Sequence, residues 1–338
     1  MEGRHHDLAG DFSDGAVAVH LARRCVGTLA AGAARDAVDN AGRADHDLGS
    51  GTADDAMDEA MVALVSFKRN TRNPMDLQLE GHTALVTGST AGIGYAIAHA
   101  LAAEGTRVTI NGRSANNVNT AVKRLQAALP DAHIAGVAAD ASKPEGCQQL
   151  IDALGEVDIL VNNLGIFDPK AFESIPDSDW IRFFETNVMS GVRLSRAFLP
   201  GMKARNRGRI IFISSESGIC PPAEMVHYGM TKSAQLSVSR ALAETCAGTA
   251  VTVNSVLPGP TLTEGAKDFF DKLAVQQGLS FEAAAAAFFA NARPTSLLRR
   301  FIQPEEVASM VAYVCSPKSA ATNGAALRVD GGVVRSLI

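Results

Sequence analysis

Tyrosine and tryptophan are scarce in this chain: three and one, respectively, among 338 residues. No run of 18 apolar residues occurs, so no membrane-spanning helix is expected. The five cysteines (25, 147, 220, 246 and 315) are odd in number, scattered, and in no metal-ligand spacing. They argue against a disulfide framework and against zinc, and fit a reducing cytoplasm. Positive charge is not in excess: the net charge is −5, which argues against a nucleic-acid partner. What remains, 46% hydrophobic and 20% charged, is the balance of an ordinary globular protein.

The chain changes character near residue 75. Residues 1–74 are rich in Ala, Gly, Asp and Arg, hold half the histidines (5, 6, 20 and 46), and show no sustained strand or helix period. Early acids and the interruptions at His20, Arg23 and Arg24 do not suit a secretory signal or a mitochondrial presequence. The expectation is a low-order extension, or translated sequence upstream of the true start, with Met75 standing just before the first strand. A small helical accessory domain is the alternative.

From residue 82 onward, short apolar runs alternate with helical patterns. "HTALVTG" (82–88), "RVTING" (107–112), "HIAGVAAD" (133–140), "VDILVNN" (157–163), "GRIIFISS" (208–215), "AVTVNSVLPG" (250–259) and "AALRVDGG" (325–332) read as strands. Helical periodicity fills the intervals, and 177–204 reads as mostly helix. Apolar strands separated by helices predict an α/β fold: one doubly wound Rossmann domain over 75–338, with a seven-stranded parallel sheet flanked by helices.

Between the first strand and the first helix lies "TGSTAGIG", with Gly88, Ser89, Thr90, Gly92, Ile93 and Gly94. Glycines there allow a tight turn and let a pyrophosphate approach backbone N–H groups at the helix N-terminus. The residue that reads the adenosine ribose is expected about 20 residues further on. No acid stands there. Asn111 and Arg113 do, and a guanidinium pairs with a 2′-phosphate, so NADP(H) is favoured over NAD(H). A surface role for Arg113 is the alternative.

One scarce tyrosine, Tyr228, precedes Lys232 by four residues in "HYGMTK". Met230, Ala234, Leu236, Val238, Ala241 and Leu242 predict a helix over 226–247, which puts Tyr228 and Lys232 on one face. A nearby ammonium favours phenolate over phenol, so the pair suits proton transfer. A half-buried Tyr beside a solvated Lys is the other reading of the hexapeptide alone.

Taken together, these residues resemble the short-chain dehydrogenase/reductase family in its shorter, common branch. The resemblance covers 75–338 and rests on several motifs in order: "TGSTAGIG", Asp140 in "AADAS" with Ala141 beside it, "NNLG" with Asn163 and Gly165, "ETN" with Asn187, "ISSESG" with Ser215, "YGMTK", and "PGPTLT" with Pro258, Gly259 and Thr263. Leu164 departs from the family's usual Ala, and Ala91 stands where some NADP-dependent members carry a basic residue. The resemblance implies a catalytic set of Asn187, Ser215, Tyr228 and Lys232: Tyr228 as proton donor, Lys232 favouring its phenolate and holding the nicotinamide ribose, Ser215 polarising the carbonyl, and Asn187 holding a water of a proton relay. The remaining named residues are implied to hold the cofactor, Asp140 beside the adenine. It also implies a cytoplasmic homo-oligomer, a dimer or tetramer.

Ser214, Glu216 and Ser217 are read as structural, His227 as a half-exposed helix-start residue with a tuning or substrate-binding role as the alternative, and Cys220 as a bystander. Residues 264–300 read as two amphipathic helices carrying Phe269, Phe270, Leu273, Phe281, Phe288 and Phe289, suited to an apolar substrate lid or a subunit contact. Arg293, Arg299 and Arg300 are either attractors of an anionic carrier or surface charges. The expected activity is NADPH-dependent interconversion of a small-molecule ketone and a secondary alcohol. A 3-oxoacyl-carrier-protein reductase and a catalytically idle NADP-binding sensor are the alternatives.

Overall fold

The computed structural model describes residues 75–337, so the expectation for the N-terminal extension lies outside the described residues. Seven parallel strands form one sheet: β1 (Thr83–Val86), β2 (Arg107–Gly112), β3 (Ile134–Ala138), β4 (Ile159–Asn162), β5 (Gly208–Ile213), β6 (Val251–Pro258) and β7 (Ala326–Val329), in the order β3-β2-β1-β4-β5-β6-β7. The chain builds outward from β1 to β3, returns beside β1 as β4, and builds outward again. Val86 pairs with Ile110 on one side and Val161 on the other. That reversal opens a crevice beyond the carboxyl ends of β1 and β4.

The interior strands are apolar because both of their faces are covered: β4, β5 and β6 are buried at every position. On one face α1 (Gly92–Ala103) and α9 (Pro304–Cys315) bury Ile97, Leu101, Val307 and Val311 against Val86, Ile110 and Ile211; α2 (Ala115–Ala128) adds Val118 and Leu125. On the other, α3 (Pro144–Leu154) and α5 (Ser190–Ala204) bury Leu150, Leu194, Phe198 and Met202 against Leu160, Phe212 and Val253. Truncating one such leucine to alanine costs about 2–5 kcal/mol.

Two departures from the sequence pattern shape the site. The helical stretch 177–204 is broken: α4 (Asp177–Phe184) runs into a π-turn (Glu185–Met189) before α5. The last strand ends at Val329, because Gly331 and Gly332 turn the chain at φ +64° and +78°. The stretch after β6 forms α7 (Glu264–Gln277) and α8 (Phe281–Asn291), capped by Thr263 and Ser280 and separated by Gly278 in the left-handed region. Phe270, Phe289 and Phe301 make a small aromatic core there, apart from the two faces of the sheet.

Candidate active site

Helix α6 (Val226–Thr245) begins beside the carboxyl end of β5. Its first turns carry Tyr228 and Lys232 on one face, with Lys232 Nζ 5.5 Å from the Tyr228 ring centroid. Lys232 is buried and donates to Ile213 O (2.8 Å) and Gln235 Oε1 (3.1 Å). Burial pulls its amine down to about 7. Burial pushes the Tyr228 phenol up to about 12, opposed by a hydrogen bond with Ser215. At neutral pH the phenol therefore keeps its proton, and the amine is the group that readily exchanges one.

Ser215 lies just past β5. Its Oγ accepts from the Ser217 N–H (3.1 Å) and donates to Glu216 Oε2 (2.9 Å). Asn187 sits in the π-turn. Its amide donates to Ile166 O and Thr231 Oγ1 (both 3.0 Å), and its Oδ1 accepts from Ile166 N–H (2.8 Å). The Asn187 carbonyl accepts from Gln235 Nε2 at 2.6 Å. Gln235 thus joins Lys232 to the Asn187 backbone carbonyl. A Cβ on Gly165 would lie 3.4 Å from Lys232 Nζ and 3.6 Å from Asn187 Oδ1, so the end of β4 closes over both.

Beside them lies a cavity of about 550 Å³, which Asn187 and Gln235 do not line. Tyr228, Ser215 and Lys232 share it with Ile93, Asn163 and Thr263 from the glycine-loop side, and with Phe167, Met225, Phe269, Phe270, Leu273 and Phe288, which make most of the wall apolar. A second hollow of about 700 Å³, between Pro294–Arg299 and the C-terminal segment, shares no lining residue with it.

At the rim, Glu216 and Arg293 form a buried ion pair. Arg293 Nε donates to Glu216 Oε1 at 3.0 Å, and Nη1 to Glu224 Oε1 at 3.1 Å. Burial alone would lower the guanidinium's pKa, but Glu216 and Glu224 outweigh it and raise it.

The similarities to known proteins agree with this geometry. The family model described as short chain dehydrogenase matches residues 82–274. The chain belongs to the short-chain dehydrogenase family. It is 52% identical to the Bacillus subtilis (strain 168) "Uncharacterized oxidoreductase YvaG" over 78% of this chain and all of that one. It is 32% identical to the Vibrio cholerae 3-oxoacyl-[acyl-carrier-protein] reductase FabG, over 76% of this chain and 99% of that one. The crystal structure of L-sorbose reductase from Gluconobacter frateurii, complexed with NADPH and L-sorbose, superposes with a TM-score of 0.74 at 31% identity, covering 78% of this chain and all of that one.

In this short-chain dehydrogenase the glycine loop is shaped for close approach. Gly88 and Gly92 adopt φ of +59° and +57°, and a Cβ on Gly94 would fall 2.5 Å from Gly88 O. Asn163 holds the loop from below, donating to Thr87 O and Gly88 O (both 2.9 Å). Ser89 and Asn111 are almost wholly buried and already engaged. Ser89 Oγ donates to Val86 O, and Asn111 Nδ2 donates to Val137 O and Ala139 O. They build the cradle from inside, whereas Thr90 packs against Gly112 and Arg113 is exposed with no protein partner among the described residues. Asp140 accepts from Ser142 Oγ at the end of β3, with Ala141 buried behind it. Pro258 ends β6, and Gly259 lies against Asp330, too close for a side chain. Thr263 caps α7 with its methyl near Gly92, and Glu264 Oε2 accepts the Gly92 N–H at 2.9 Å.

Several sequence readings need correcting. His227 is fully buried, packed 4.0 Å from the Phe183 ring with neither ring nitrogen hydrogen-bonded, and burial holds its pKa below the usual value. Arg293 is buried and paired with Glu216, so it is no surface charge; Arg300 is exposed, in keeping with the surface-charge reading, and pairs with Glu306 at 2.8 Å. Glu216 touches Ser215 itself. Gln235 sits one turn past Lys232, a spacing that would have shown it on the same face. No spacing links Glu216 to Arg293, 77 residues away.

Proposed function

We propose that this short-chain dehydrogenase is an NADPH-dependent ketone reductase whose catalytic residues are Ser215, Tyr228, Lys232 and Asn187. The observation that carries the reading is the gathering of Ser215, Tyr228 and Lys232 in one apolar-walled cavity beside the glycine loop. The cofactor residues fit a dinucleotide: Gly88, Gly92 and Gly94 leave room at the N-terminus of α1, and Arg113 is an unpaired cation past β2. Held by those residues, NADPH would supply the hydride for a carbonyl carbon. Tyr228 gives its proton to the carbonyl oxygen, which becomes the alcohol hydroxyl. Ser215 holds that oxygen by a hydrogen bond that strengthens as negative charge builds there. Lys232, poised near 7, returns a proton to Tyr228 and holds the nicotinamide ribose, while Gln235 and Asn187 keep the amine in place.

The substrate is an uncharged ketone. Among the described residues, the only arginine lining the cavity is neutralised by two carboxylates, and the other lining side chains are largely apolar. A phosphate or carboxylate on the substrate would meet no free cation beyond Lys232. Helices α7 and α8 act as the lid. A cytoplasmic dimer or tetramer belongs to the same reading, with Phe172, Ile181 and Phe184 offering exposed apolar surface on and beside α4.

The test is turnover across neutral ketones, β-ketoacyl thioesters and sugars, each with NADPH and NADH, alongside Tyr228→Phe. Neutral ketones with NADPH are the expected best pairing. Tyr228→Phe is expected to lose all but a few hundredths of kcat and to bind NADPH within a few-fold of wild type. A variant keeping more than about a tenth of wild-type kcat removes Tyr228 as the acid.

A further inference from the structure

Resting on the reductase reading, we propose that Glu216 and Arg293 are positioning residues for Ser215: Arg293, at the end of the lid segment, pins the Glu216 carboxylate, and Glu216 sets the direction of the Ser215 hydroxyl. Ser215 has one proton to give. Its oxygen is gripped by the Ser217 N–H on one side and bound to Glu216 Oε2 on the other. Ser217 Oγ donates to the same Glu216 oxygen. One carboxylate oxygen therefore fixes two hydroxyls of the loop after β5, and with them the rotamer from which Ser215 meets a carbonyl oxygen.

A carboxylate buried this deeply persists as an ion only with a cation and hydrogen bonds to compensate for lost water. Its cation comes from far away in sequence. Arg293 follows α8 and is itself buried, and its second nitrogen reaches Glu224, in the turn just before α6. One guanidinium so ties together the loop of Ser215, the entry to the Tyr228 helix, and the end of the lid. Arg293 reaches Glu216 only when the lid segment is seated, the same seating that brings Phe269, Phe270 and Phe288 to the cavity wall. Ser215 orientation and lid closure are then one event. A ligand that props the lid open also loosens the grip on the carbonyl oxygen.

The pairing also weakens Glu216 as a competitor. A carboxylate shared with a guanidinium is a poorer acceptor than a free one. As charge grows on the reacting oxygen, Ser215 can turn its proton from Glu216 to the substrate. The charged and titratable groups facing Glu216 are Arg293 from the lid, Glu224 through that guanidinium, and Tyr228 from α6.

Four variants test this: Glu216→Gln, Arg293→Met, Arg293→Lys, and the double Glu216→Gln/Arg293→Met. Each is measured for kcat and KM on the best carbonyl substrate between pH 5.5 and 9, and for NADPH Kd by fluorescence titration. Glu216→Gln is expected to lower kcat about 10-fold or more, with KM and NADPH Kd moving less than about 3-fold. Arg293→Met leaves a buried carboxylate without its cation, which takes up a proton more readily. Its kcat should rise with pH through a new ionisation absent from wild type. That ionisation should vanish in the double variant, and Arg293→Lys should largely remove it too. A purely structural pair would lower Tm in all four and leave the pH profiles alike. That result overturns the proposal, as does full kcat in Glu216→Gln. A wild-type enzyme inactive on every carbonyl refutes the reductase reading instead. The positioning role is then decided by the crystal structure of Glu216→Gln, where an unchanged Ser215 rotamer overturns it.

Discussion

Replacing Lys232 with methionine should stabilise the cofactor-free protein near neutral pH while abolishing turnover. The amine sits buried, pulled from 10.5 down to about 7. Since the folded value lies below the unfolded one, the unfolded chain binds more protons between about pH 7 and 10.5, and stability from this site rises with pH. A shift of about 3.5 units at about 1.4 kcal/mol each gives a penalty of about 4–5 kcal/mol below pH 7, falling to about 2 kcal/mol at pH 9. Methionine removes the penalty but strips a donor from Ile213 O and Gln235 Oε1, at about 2 kcal/mol in all. The variant should therefore be more stable by about 2 kcal/mol at pH 7, or about 4–8 °C in Tm, and roughly equal to wild type at pH 9. Urea unfolding of both apoproteins at the two pH values measures this. The lost hydrogen bonds and the changed packing cancel in the pH comparison, which isolates the amine. A wild-type-minus-variant difference that stays flat from pH 7 to 9 refutes the reasoning.

Arg113→Ala should weaken NADPH about 10- to 150-fold and NADH hardly at all, the worth of one charge-assisted contact to a 2′-phosphate; equal changes in the two Kd values would remove Arg113 from that role. Glu264→Gln should tighten NADPH binding about 2- to 5-fold at low ionic strength, because the carboxylate on the Gly92 N–H holds the helix terminus that a pyrophosphate would use. Calorimetric titration reads this, and unchanged or weaker binding would show that Glu264 does not compete. A chain beginning at Met75 should keep cofactor binding and turnover, since every site residue named above lies beyond it; a Tm several degrees lower would place residues 1–74 against the domain.

The sheet was legible because its strands are short apolar runs bounded by turn-forming or polar residues, a pattern that burial on both faces sets in β4, β5 and β6. The Tyr228–Lys232 pair was legible because helical spacing is local. What escaped was long-range or hidden by local form. His227 looks like an ordinary helix-start residue, and nothing nearby in sequence announces that Phe183 and Trp180 will enclose it. Glu216 looks like a loop acid until the chain returns with Arg293. Ser89 and Asn111 stand where ligand contacts are expected, yet their side chains are consumed by the backbone beneath the loop. Sequence places a residue near a site; only the fold decides which way a short polar side chain turns.

The π-turn at Glu185–Met189 makes the length of this segment as constrained as its residues. A π-turn holds one residue more than an α-turn, and each residue rotates a helix by about 100°. Losing one residue would let the backbone relax into a regular helix, a local gain. It would also swing Asn187 away from Ile166 and Thr231, and its carbonyl away from Gln235. Gaining one would turn α5 off the face that buries Leu194, Phe198 and Met202. Substitutions can therefore accumulate along this helix pair, while single-residue insertions and deletions inside the turn should be among the changes the protein tolerates least.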